Sequence, residues 1–147
     1  MQRDIVHRFS YSHPPAVVWQ YLTDAALLSQ WLMPNDIKPV KGHRFTFQTK
    51  PLPKFGFDGT VHCEVLEVVP HQKLSYTWKG GTPQKTVLDT VVVWTLTPTA
   101  HGTDVLLEHK GFKGMRNLIP FIAMNMGWKK IGKRLQNTIN TAIHGTA

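Results

Sequence analysis

The chain has one cysteine, Cys63, and therefore no internal disulfide and no second thiol for a thiolate metal site. Its place in an alternating apolar segment gives it the role of a small buried residue. Long hydrophobic runs are lacking too. The most apolar stretch, Leu118 to Met126, falls well short of the ~20 residues that a bilayer span needs. The first residues, Met1 to His7, show neither the charged nor the apolar region of a signal peptide. The expectation is a cytoplasmic protein with no membrane span and a single domain over residues 1–147. Acid is scarce: nine Asp and Glu stand against 17 Lys and Arg, for a net charge of +8 and a pI near 9.8. That excess attracts nucleic acid, anionic lipid or an acidic protein, without specifying any of them.

Catalytic signatures are missing as well. There is no Ser-His-Asp order, no glycine-rich phosphate loop and no paired-carboxylate motif, and Gly80-Gly81 reads as a turn. His62 and Glu64 share one face of a strand, and the opposite set, Val61, Cys63 and Val65, is apolar. That turns His62 and Glu64 to solvent rather than to a metal or acid-base site. Neither a metal nor a cofactor is expected. A helix pair before Pro34 has the outline of a helix-turn-helix, yet its second helix offers only Ser29 and Gln30 to a base edge. The strands do not interleave aromatic with basic residues, so no specific nucleic-acid partner is expected.

The remaining residues set out a clear order. Arg3 to Tyr11 alternate as a first strand, stopped by Ser12-His13-Pro14-Pro15. Val18, Trp19, Tyr21 and Leu22 mark a short helix to Thr23, and Leu27, Leu28, Trp31 and Leu32 mark a second one after Asp24. From Gly42 the period becomes two, through Phe45 and Phe47, Thr60 to Val69, Leu74 to Trp78, Thr86 to Thr97, and Val105 to Lys110. Short turns between these strands require antiparallel neighbours. The last element runs from Met115 to Ile143. From Trp128 onward, Trp128, Ile131, Leu135 and Ile139 recur at helical spacing, whereas Leu118 to Met126 is apolar all round and should be buried against something. The fold class is α+β: a curved antiparallel sheet of about six strands, two short helices after the first strand, and a long C-terminal helix packed across the sheet.

Several pieces in order make a resemblance. They are Pro15, Val18-Trp19, Leu22-Thr23-Asp24, Trp31, Gly42, Phe45, Gly59, Glu64-Val65 and Pro70 in the first half. Leu74-x-Tyr76-x-Trp78, Val92-x-Trp94-x-Leu96, Gly102-Thr103, Val105-x-Leu107-x-His109-x-Gly111-Phe112, Gly127-Trp128 and Leu135 follow. The chain resembles the START-like (SRPBCC) superfamily with its helix-grip fold, and within it the family of activator of heat shock protein 90 ATPase homologues. The resemblance implies the helix-grip fold and brings no fixed catalytic constellation. Family members commonly carry an acidic stretch between Gly111-Phe112 and Gly127-Trp128; here that stretch is apolar and basic.

A sheet wrapped around one helix leaves a cavity where the two diverge, and large side chains line it. The candidate ligand-binding residues are Trp31, Phe47, Tyr76, Trp78, Trp94, His109, Phe112, Phe121, Met124 and Trp128, around an apolar small molecule, with Phe112 to Met126 as a gate. His109, inward-facing if Val105 and Leu107 are, is the residue an enzyme of the cyclase or hydrolase type would use. Lys129, Lys130, Lys133 and Arg134 lie opposite Trp128, Ile131 and Leu135, and would meet an acidic protein partner in a chaperone-associated role.

Overall fold

Strands form where β-branched and aromatic residues alternate with polar ones. In the computed structural model, which describes residues 2–144, six such segments pair into one curved antiparallel sheet. They are β1 (Gln2–Tyr11), β2 (Arg44–Gln48), β3 (Thr60–Val69), β4 (Lys73–Thr82), β5 (Lys85–Thr99) and β6 (Gly102–Lys113). The spatial order is β1-β6-β5-β4-β3-β2, so the chain places its first strand beside its last. Ile5 sits across from His109 and Phe9 across from Val105. Between β1 and β2 run α1 (Pro15–Thr23) and α2 (Ala25–Ser29), which carry the chain to the other edge of the sheet. Pro14 and Pro15 open α1, where a missing N–H costs nothing, and Asp24 caps α2 by accepting from the Leu27 N–H at 3.0 Å.

One expected turn is absent. Gly80-Gly81 does not end its strand; β4 continues through both to Thr82, with a register shift between them. A Cβ on Gly81 would lie 2.2 Å from the Lys85 carbonyl oxygen, so the glycine serves close backbone approach in the hairpin rather than the turn itself.

The inner face follows the period of two. Phe45 and Phe47, Val61, Cys63 and Val65, Leu74, Tyr76 and Trp78, Val92, Trp94 and Leu96, and Val105, Leu107 and His109 are all buried. Covering them is α3 (Leu118–His144), preceded by a 3-10 turn at Met115–Asn117. Its contribution to the core is Trp128, Leu135 and Ile139. The helix is held against β1 by three neighbouring side chains. A ring nitrogen of His7 bonds the Asn125 carbonyl at 3.0 Å, the Tyr11 hydroxyl donates to the Gly132 carbonyl at 2.9 Å, and Phe9 packs between them against Gly132.

The first half of α3 departs from expectation. Rather than being buried all round, it sends Phe121 and Met124 to the core and leaves Ile119, Ile122 and Met126 exposed, as is Met115 in the turn before it. The sheet lies on one side of the helix only, so a stretch apolar on every side has half its surface left over. No helix among the described residues is long and apolar enough to cross a membrane.

Candidate functional site

The ten residues expected to line a cavity are brought together, and eight of them form a packed aromatic layer. Trp31, Phe47, Tyr76, Trp78, Trp94, His109, Phe112 and Trp128 are each no more than 4% exposed. Their rings meet edge-on or tilted: Trp31 on Trp94 at 5.9 Å, Trp94 on Trp128 at 5.7 Å, Trp78 on Trp128 at 5.6 Å and Phe47 on Trp78 at 5.2 Å. Phe112 closes on His109 at 4.7 Å and carries Phe121 at 5.6 Å. Phe121 and Met124 are only partly buried, packed on this layer from the helix side.

Polar atoms inside the layer are paired. The Trp94 indole donates to the Tyr76 hydroxyl at 3.0 Å, and the Trp31 indole to the Tyr21 carbonyl at 3.0 Å. Burial raises the Tyr76 hydroxyl pKa far above its ordinary value.

His109 sits in the middle of a chain of donors, between Trp128 and Thr90. Thr90 donates its single hydroxyl proton to the Trp78 carbonyl at 2.8 Å, so the contact of 2.7 Å between Thr90 Oγ1 and His109 Nε2 requires the proton on Nε2. Indole N–H is a donor only, and the Trp128 Nε1 contact of 3.0 Å therefore makes His109 Nδ1 the acceptor. Both requirements are met by one form, the neutral Nε2–H tautomer. Burial adds to this by lowering the pKa to about 3. No ring nitrogen is left to take a proton from a substrate. Replacing Trp128 by Phe removes the donor and leaves Nδ1 buried and unpaired. The expected cost is about 1–3 kcal/mol of stability, read from urea unfolding, and an unchanged midpoint would refute the pairing.

On the other side of the sheet, His62 is exposed and Glu64 pairs with Arg44 at 3.3 Å. With Asp36, Thr46, Thr77 and Lys79, and with Phe45 and Cys63 beneath, they line an open surface pocket of about 540 Å³. Among the described residues no three His, Cys, Asp or Glu side chains are grouped to hold a metal ion. Lys129, Lys130, Lys133 and Arg134 are exposed on α3, away from both.

Two residues that matter to this geometry escape the sequence reading. Thr90 stands at period two with Val92 and Trp94, so its inward direction was available, but its partner was not. Asn117 is buried in the 3-10 turn; its amide donates to the Val87 carbonyl at 3.1 Å and accepts from the Lys113 N–H at 3.0 Å, tying the start of the helix to β5 and β6.

A sheet gripping one long helix, with two short helices after the first strand, is the helix-grip fold of START-like domains. The chain belongs to the activator of Hsp90 ATPase homolog 1-like protein family, whose pattern matches residues 12–140. Among solved structures it is similar to protein MLL2253 from Mesorhizobium loti, at 36% identity and a TM-score of 0.82, covering 94% of this chain and 97% of that one. Protein BH1534 from Bacillus halodurans is 26% identical with a TM-score of 0.75, over 95% of this chain and 99% of its own. CalU16 from Micromonospora echinospora, 22% identical with a TM-score of 0.73 over 97% and 80%, shares the fold. No curated protein matches the chain.

Proposed function

We propose that this chain is a cytoplasmic, single-domain binding protein for a mainly apolar small molecule, taken up between the sheet and the first turns of α3. The observation that carries the reading is the thin cover over the aromatic layer. Between the anchors at Asn117 and Asn125, the inward side chains Phe121 and Met124 stay half-buried on the core, Phe121 against Phe112. Displacing them exposes aromatic surface while the polar pairs beneath stay intact. Met124 is unbranched and adapts to ligands of different shape.

A cyclase or hydrolase acting through His109 is the weaker reading, because both ring nitrogens are engaged and the ring is neutral. Titration with lipids, polyketides and flavonoids tests the binding reading. The expected result is a shift of the Met124 methyl and Trp128 indole resonances with one class, weakened when Phe121 is replaced by Asp. All three classes leaving both signals unmoved would sink it. An acidic protein docking on Lys129, Lys130, Lys133 and Arg134 fits the chaperone-related name of the family; that face bears on a separate question.

A further inference from the structure

The outward side of α3 changes character halfway along. Ile119, Ile122 and Met126 are 60%, 49% and 62% exposed, at steps of three and four residues that place them in one row, and Met115, 76% exposed, precedes them in the 3-10 turn. Steps of three, four and seven residues beyond Met126 lead to Lys129, Lys130 and Lys133 on the same side, opposite the buried Trp128 and Leu135. Arg116 stands at the other end. None of these cations has an acidic partner among the described residues. No Asp or Glu follows Glu108 in the sequence, while the stretch from Lys113 to Arg134, ends included, carries six Lys and Arg.

We propose that this face is a docking surface for an anionic lipid bilayer. Whatever covers it must be apolar over the first half and negatively charged over the second. A bilayer surface offers both within one layer: Ile and Met enter the boundary between headgroups and acyl chains, and the lysines rest on phosphates. From Ile119 to Met126 the apolar row spans roughly 10 Å of helix at 1.5 Å per residue, and the lysines continue along the same line, so the helix lies flat. A protein partner fits less well. The row stands on a convex helix, and four aliphatic side chains cannot supply the ~800 Å² per partner of a stable interface. The area beyond them is lysine, a residue depleted from protein interfaces. Docking stands independently of the interior ligand, because it uses only the outside of the helix.

Co-sedimentation with vesicles of equal parts phosphatidylglycerol and phosphatidylcholine, against pure phosphatidylcholine, tests the proposal. Binding to the first and not the second is expected, weakening as salt rises. Replacing Lys129, Lys130 and Lys133 together by Ala should lower it about a hundredfold, at roughly fivefold per lysine. Ile119→Ser with Ile122→Ser should lower it about tenfold or more with an unchanged melting temperature, since both side chains are exposed. Lys38→Ala with Lys41→Ala, in the loop before β2 at the opposite edge of the sheet, should retain most of the binding. Equal binding to both vesicle types overturns the proposal, as does indifference to the isoleucines or a loss at Lys38 and Lys41 as large as at the helix. Capture of polyglutamate without any vesicle binding overturns it in favour of an acidic protein partner.

Discussion

Between pH 7 and pH 4 the native domain is expected to lose about 3 kcal/mol of stability through His109 alone. The folded ring has its pKa lowered to about 3, and an unfolded histidine keeps the ordinary value of 6.5. Between those values the unfolded chain takes up a proton that the folded chain refuses. Stability is therefore complete above about pH 6.5 and declines by about 1.4 kcal/mol for each pH unit below it, until the folded ring itself protonates. The structural reason is the direction of the bonds. A protonated ring would carry N–H on Nδ1, pointed at the Trp128 indole N–H, with no acceptor in reach. Urea midpoints measured across this range should fall steeply for the native chain and much less for His109→Gln. Parallel curves for the two would show that the ring is not held neutral.

Gly132→Leu is expected to cost about 3 kcal/mol or more, and to lower the melting temperature by about 10 °C. A Cβ at this position would lie 2.2 Å from Cε1 and 2.3 Å from Cζ of Phe9. The Phe9 ring cannot swing aside freely, because it stacks between His7 at 6.1 Å and Tyr11 at 6.0 Å. Instead α3 must retreat from β1, which breaks the Tyr11 bond to Gly132 and loosens Trp128 and Leu135. Phe9→Ala in the same chain should recover part of the loss. Gly127, five residues earlier on the same helix, has nothing within 4 Å of a Cβ, and Gly127→Ala should stabilise by up to about 1 kcal/mol through helix propensity. Differential scanning calorimetry of the two variants decides the matter: equal effects of the same sign would mean that Phe9 does not set the distance of the helix.

These two glycines show what a pattern of residues conveys. Gly127 stands beside Trp128 in the run that carries the family resemblance, and it has no steric need to be glycine. Gly132 belongs to no motif, and the approach of helix to strand depends on it. The same division holds for the site. Period two aimed Phe47, Tyr76, Trp78, Trp94 and His109 inward, and all five are buried there. It did not reveal that their rings close on one another, because that requires the distance between strands and helix. The apolar run Leu118 to Met126 was legible as unusual; that Ile119, Ile122 and Met126 face outward was not, because nothing local says which side of a uniformly apolar helix meets the sheet.

By itself the sequence determined the α+β class, the order of the elements, the inward faces of the strands and the excess of positive charge. Each of these is a local property, fixed by side-chain alternation, by turn residues or by counting. The tertiary structure alone decided that β1 closes the sheet beside β6, that β4 runs through Gly80-Gly81, and that His109 meets Thr90 and Trp128, each 19 residues away in the chain. Periodicity gives the direction in which a side chain points, whereas its partner depends on the register and spacing of elements far apart in sequence.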